Sequence, residues 1–100
     1  MGIDLKGRDI SKEEIEAALL HKFVMKGAWH KYHIYESDVP KGFPPQIRNR
    51  ILQALKDLRS RGLITGFPHG REHVYILNKN RREEILAIVT KYYPEYHDFT

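Results

Sequence analysis

Apolar residues recur at three- and four-residue intervals in three stretches of the chain and alternate with polar ones in two others. In the first, Ile15, Ala18, Leu19 and Phe23 mark the inner face of a helix, and Leu20 and Val24 widen it. Ser11-Lys12-Glu13-Glu14 opens this helix as a capping box, Ile10 and Ile15 stand at the two positions of a hydrophobic staple, and Lys26-Gly27 stops it near Met25. In the second, Ile47, Ile51, Ala54, Leu55 and Leu58 predict a helix from Pro44 to Leu63, with prolines at its start and Gly62 at its end. The opposite face of that helix holds Gln46, Asn49, Gln53, Lys56 and Ser60, flanked by Arg48, Arg50 and Arg59. In the third, Ile85, Ile88, Val89 and Tyr92 form a stripe closed by Pro94, with Asn78 or Asn80 as cap and Asn80 and Glu83 as a box-like pair.

The alternating stretches are Leu63–Phe67 and Glu72–Leu77, joined by the turn residues Phe67-Pro68-His69-Gly70-Arg71, and they predict a β-hairpin. Residues 28–45 carry a short strand around His33–Tyr35, then a brief helix over Asp38–Lys41 capped by Ser37, with Phe43 plugging the core. Residues 1–10 form an arm, residues 94–100 an aromatic tail, and the whole of 1–100 reads as a single domain.

Charge sharpens this picture. Between Pro40 and Asn78 stand seven basic residues (Lys41, Arg48, Arg50, Lys56, Arg59, Arg61 and Arg71) against two acids, Asp57 and Glu72. That local excess of five is larger than the net +4 of the whole chain, so the surplus belongs to the central helix and the hairpin. Localised positive charge is the footprint of a polyanion binder. Elsewhere the acids gather at Glu13, Glu14 and Glu16 and at Glu83 and Glu84, where helix starts explain them. Arg61, near a helix end, is placed to serve the dipole there.

The phrase Leu55-x-x-Leu58-x-x-x-Gly62-Leu63-Ile64, with Arg71 at the hairpin tip and Val74-Tyr75-Ile76-Leu77-Asn78 in the return strand, resembles the winged helix-turn-helix family in the broad sense that includes MarR- and ArsR-like regulators. The resemblance spans roughly residues 11–93. It implies an α+β, mainly helical fold: a three-helix core, a β-hairpin wing over 63–77 and a C-terminal helix. It also implies a recognition helix over 45–61 that enters the major groove of double-stranded DNA, in a sequence-specific transcriptional regulator. Gln46, Asn49, Arg50 and Gln53 would then meet bases, since Gln and Asn pair with adenine and Arg with guanine. Arg48, Lys56 and Arg59 would meet phosphates, and Arg71 a second stretch of backbone or the minor groove. The departure from the family is Pro40-Lys41-Gly42-Phe43-Pro44, which shortens the preceding helix and predicts an irregular entry turn.

Other chemistry is poorly represented. The chain has no cysteine, and neither the His30/His33 nor the His69/His73 pair has a ligand partner at zinc-motif spacing, so no metal or cofactor is expected. No nucleophile elbow, glycine-rich phosphate loop or nuclease-like carboxylate cluster points to an enzyme, and no small-ligand pocket is evident. Without an apolar run of membrane length or a signal-like start, a cytoplasmic location and no membrane partner are expected. Tyr92, Tyr93, Tyr96 and Phe99 either pair two copies into a homodimer through the C-terminal helix and tail, with Ile3 and Leu5 joining in, or cover the domain's own core. The competing function is a winged-helix module for protein–protein or RNA interaction in a larger complex.

Overall fold

A computed structural model describes residues 10–95; Ile3 and Leu5 of the arm and Tyr96 and Phe99 of the tail lie outside the described residues. Three helices, α1 (Lys12–Met25), α2 (Arg48–Ser60) and α3 (Arg82–Tyr92), pack with three strands, β1 (Ile34–Tyr35), β2 (Ile64–His69) and β3 (Glu72–Leu77). The strands form one antiparallel sheet in the order β1-β3-β2. The fold is α+β and mainly helical.

α1 lies at the centre. Every residue from Ile15 to Leu20 is buried, a pattern expected of a helix covered on several sides rather than along one stripe. It packs against α2, α3 and β3. Ser11 caps it by accepting from the Glu14 N–H at 3.1 Å. α1 and α2 stop by the same device. Gly27 and Gly62 take φ of 66° and 81°, and the next N–H reaches back to a carbonyl in the helix: Ala28 to Phe23 at 3.0 Å and Leu63 to Leu58 at 2.9 Å. In each case the residue after the glycine is an apolar core residue, so the stop signal also redirects the chain inward.

The α2 segment differs from the continuous Pro44–Leu63 helix expected from its spacing. Pro44 is extended (φ −57°, ψ 143°) because it precedes Pro45, whose ring disfavours helical geometry in its neighbour. A 3-10 turn over Pro45–Ile47 follows, and Ile47 (φ −112°, ψ 2°) separates it from the regular helix. The inward row survives intact, with Ile47, Ile51, Ala54, Leu55 and Leu58 all buried.

The brief helix placed over Asp38–Lys41 is a 3-10 turn at Glu36–Asp38, and Ser37 does not cap it. Instead the Ser37 N–H donates to Glu72 Oε1 at 3.0 Å. The turn starts early because β1 has only two paired residues, leaving the chain free to curl after Tyr35. What fixes the segment is Lys22 of α1. Its ammonium donates to the carbonyls of Asp38, of Val39 at 3.0 Å and of Lys41 at 2.7 Å, while Phe43 closes over the core.

The hairpin is tighter than the sequence suggested. Phe67 and Pro68 belong to β2, and only Gly70 and Arg71 turn, with Gly70 at φ 67°. A glycine with positive φ in the first of two turn residues suits the twist of the flanking strands. Pro68 is tolerated because β2 is an edge strand. Across the sheet Ile34, Tyr75 and Gly66 share one row, and a Cβ on Gly66 would stand 2.6 Å from the Tyr75 ring.

α3 does not begin on the Asn80–Glu83 pair. Asn78 caps a 3-10 turn over Lys79–Arg81 by accepting from the Asn80 N–H at 3.0 Å, and Arg81 precedes α3 without a side-chain cap bond. Asn78 Nδ2 also donates to the Gly62 carbonyl at 2.8 Å, tying the start of α3 to the end of α2. Ile85 and Val89 are buried in the core, and Ile88 and Tyr92 are partly buried against it. At the end of α3, Tyr93 is buried and stacks on His21 with centroids 4.0 Å apart, and the Tyr92 hydroxyl donates to Glu13.

Two outcomes follow from these contacts. Lys22→Met leaves carbonyls of the lead-in turn without their charged donor, and urea denaturation should show a loss of about 2 kcal/mol. A loss under about 0.5 kcal/mol would mean that water replaces the ammonium. The second concerns His21, whose pKa is held below its ordinary value by burial, against a smaller upward pull from Glu95. The folded state therefore binds fewer protons than the unfolded one as pH falls through about 6.5, and stability drops on acidification from neutral. His21→Phe, which keeps the stack on Tyr93, should lose less stability than the parent between pH 7.5 and 5.5, measured by urea titration at each pH.

Candidate nucleic-acid interface

The outward residues that the sequence singled out are exposed: Gln46 in the 3-10 turn before α2, and Arg48, Asn49, Arg50, Gln53, Lys56 and Arg59 on α2 itself. Arg71 is exposed at the hairpin tip. Among the described residues, none bonds to the side chains of Gln46, Asn49, Arg50, Lys56 or Arg71. The remaining three have intramolecular duties. Arg48 Nε donates to the Phe43 carbonyl at 3.0 Å, closing the entry turn onto the helix. Gln53 Nε2 donates to Asp57 Oδ1 at 3.2 Å, one turn further on. The Arg59 guanidinium lies 5.3 Å from the centroid of the Tyr75 ring, in the space that Gly66 leaves open by lacking a side chain.

The two acids of this region do little to offset its charge. Lys12 of α1 sits 3.2 Å from Asp57, and this contact, with a smaller contribution from Gln53, holds the carboxyl below the usual carboxylate range. Glu72 accepts from Ser37 at the other edge of the sheet. A groove of about 550 Å³ joins the helix to the hairpin, lined by Lys56, Arg59, Ser60 and Thr65 among others. Sequence reasoning missed Thr65 as part of this surface. Its only signal was a polar residue at an alternating position of β2.

The first turn of α2 runs against the dipole rule. α1 begins with Glu13 and Glu14 and α3 with Glu83 and Glu84, whereas α2 has no acid in its first turn and no side-chain cap bond. Arg48 and Arg50 stand there instead, next to the positive end of the helix dipole, where a cation is locally unfavourable. An exposed helix start with two arginines and no acid or cap is suited to an anionic partner supplied from outside.

Arg61 belongs elsewhere. Rather than serving the helix end, its guanidinium pairs with Glu16 Oε1 at 2.8 Å. Glu16 is 4% exposed, so its position near the start of α1 does not account for it. The pair joins the first half of α1 to the end of α2. The other Glu16 oxygen is buried without a hydrogen-bond partner among the described residues.

One histidine from each of the two pairs noted by spacing meets the other: His33 lies beside His69, with ring centroids 5.4 Å apart, and both touch Tyr35. Among the described residues no group of three or more His, Asp or Glu side chains is placed to hold a metal ion. Among them, too, no helix is long and apolar enough to cross a membrane.

Removing Arg61 strands a buried carboxylate, whereas removing both charges does not. Arg61→Leu should therefore cost about 2–3 kcal/mol, below the range for a fully buried pair because the Arg61 side chain is 44% exposed. The double variant Glu16→Leu/Arg61→Leu should recover most of that loss, as read from a denaturation cycle. Comparison with protein-family models, curated proteins and solved structures found no match for the chain.

Proposed function

We propose that the chain is a winged helix-turn-helix protein that binds double-stranded DNA sequence-specifically and regulates transcription in the cytoplasm. α2 is its recognition helix and the β2–β3 hairpin its wing. The element order and the sheet order β1-β3-β2 support the fold reading. The observation that carries the functional reading is the exposed, uncapped, acid-free first turn of α2 with Arg48 and Arg50 on it. A helix that was only scaffold would gain stability from an acid or a capping residue there, as α1 does.

In the major groove, Gln46, Asn49, Arg50 and Gln53 meet base edges, Gln53 exchanging its exposed bond to Asp57 for a base. Lys56 and Arg59, along the groove toward the hairpin, follow the phosphates, with Arg48 at the entry turn and Arg71 on a separate stretch of backbone. Two copies acting together would set two half-sites about one helical turn apart. Since Tyr92 and Tyr93 are engaged with α1, the outer side of α3 is the described surface left for self-association through the C-terminal helix.

Fluorescence anisotropy on a random-sequence duplex tests this. Binding should weaken steeply from 50 to 200 mM salt, with a log–log slope of about −3 to −4 per copy for four phosphate contacts. Arg71→Ala should reduce the slope by about 0.9, and Arg50→Ala should weaken binding and relax the preference seen in duplex selection. No binding at 50 mM salt, or an unchanged slope in Arg71→Ala, would sink the DNA reading and leave a protein- or RNA-binding module.

A further inference from the structure

On the other side of Lys22 from the core, α1, β1 and the lead-in turn enclose a cleft of about 620 Å³, within the range of small-molecule sites. Lys22, Lys26 and Lys41 line it, with Asp38 as its one acid. Asp38 is paired with Lys41 at 2.9 Å, and Lys22 is held by backbone carbonyls rather than by a carboxylate. Lys26 makes no hydrogen bond or close ion pair among the described residues, although its charge acts on Asp38. These four lining groups sum to a net charge of +2, with Glu95, outside the lining, acting on His21 and Tyr93. The crowding is felt inside it: burial first, and then the neighbouring Lys26 and Lys41, push the Lys22 pKa down, against an upward pull from Asp38. The rest of the lining is flat and largely apolar, from Phe43 and Tyr93 to the rings of His21 and His33. Phe43 and Tyr93 are almost wholly buried, so these walls are fixed by the core behind them.

We propose that this cleft binds a small phosphate monoester bearing a planar ring, of the nucleoside monophosphate class. The charge argues for the phosphate: a monoester carries about −1.5 to −2 at neutral pH, which matches the local surplus, whereas a carboxylate would leave half of it unopposed. The rings argue for a planar group, which gains contact from flat side chains at little conformational cost. Lys26 and Lys41 close on the phosphate as exposed ammonium groups, while Lys22 adds its field from the floor without leaving its carbonyls. The site is independent of the duplex reading, since neither α2 nor the hairpin contributes to it.

The test is an amide-shift titration of the whole chain by two-dimensional NMR with three probes: AMP, adenosine and inorganic phosphate. AMP should shift the amides of His21, Lys26, Ile34 and residues 41–43 in a saturable way, with at least tenfold weaker binding by adenosine and by phosphate. Lys26→Gln and Lys41→Gln should each weaken AMP several-fold while the remaining spectrum stays dispersed and native. Lys56→Gln, on α2 and outside the cleft, should leave AMP binding unchanged but weaken the duplex, which separates failure of this site from failure of the DNA reading. Three results would overturn the proposal: no saturable shifts at these amides, adenosine binding as well as AMP, or phosphate alone binding as well as AMP.

Discussion

The geometry of this protein depends on one ammonium group. α2 has no side-chain cap bond of its own, and the residues before it form no regular helix. Left to local preference, Glu36–Ile47 would be a string of turns without a defined direction. Lys22 supplies the direction by collecting the carbonyls of Asp38, Val39 and Lys41 onto α1, the most buried helix in the fold. Bonds from a charged donor are stronger than neutral ones, and they offset the cost of partly dehydrating the ammonium. Arg48 then closes the turn onto the helix through the Phe43 carbonyl. The Glu16–Arg61 pair fixes the far end. α2 is thus held at both ends by charged groups reaching to or from α1, and its outer face is left free.

That division explains how charge is used across the surface. Acids sit where they serve the fold: Glu13 under Lys91 and Tyr92, Asp57 under Lys12, Glu84 under Arg81. The outward row of α2 has basic and amide groups in the places where local stability would favour acids or a cap. Natural sequences agree with local preference except where function overrides it, and under the proposed duplex-binding reading the first turn of α2 is such a place. The neutral amides Asn49 and Gln53 between the arginines matter as much as the charge. Purely electrostatic binding needs only cations, whereas amides at helical spacing are suited to base edges.

The helices, the hairpin and the buried rows were legible because they rest on periodicity, and periodicity survives translation into structure. Ile51, Ala54, Leu55 and Leu58 needed no long-range information to be placed inward. The exposed row of α2 was legible for the complementary reason. Misplaced features had causes that a local pattern does not hold. Pro44 looked like a helix start, yet its neighbour Pro45 forces it to be extended. Asn80 and Glu83 had capping spacing, but the Gly62 carbonyl draws Asn78 into that role from the other side of the fold. The duties of Lys22 and Arg61 and the pairing of His33 with His69 join residues far apart in sequence, and no spacing rule reaches them.

The Glu16–Arg61 pair shows why such a costly arrangement suits this fold. A leucine pair at the same place would pack at less expense in dehydration, and burying a carboxylate with one oxygen unpartnered is unfavourable. Apolar contacts, however, tolerate rotation and sliding between two helices, because they have no preferred direction. An ion pair with a hydrogen bond at 2.8 Å does not. It adds a directional tie between α1 and the end of α2 to the rotation that the buried row of Ile51, Ala54, Leu55 and Leu58 imposes. The outer face depends on that rotation, since a helix turned by one residue, about 100°, would carry Asn49 and Gln53 off the exposed row. The pair therefore trades stability for a fixed direction between the two helices, which the proposed reading surface on α2 would require.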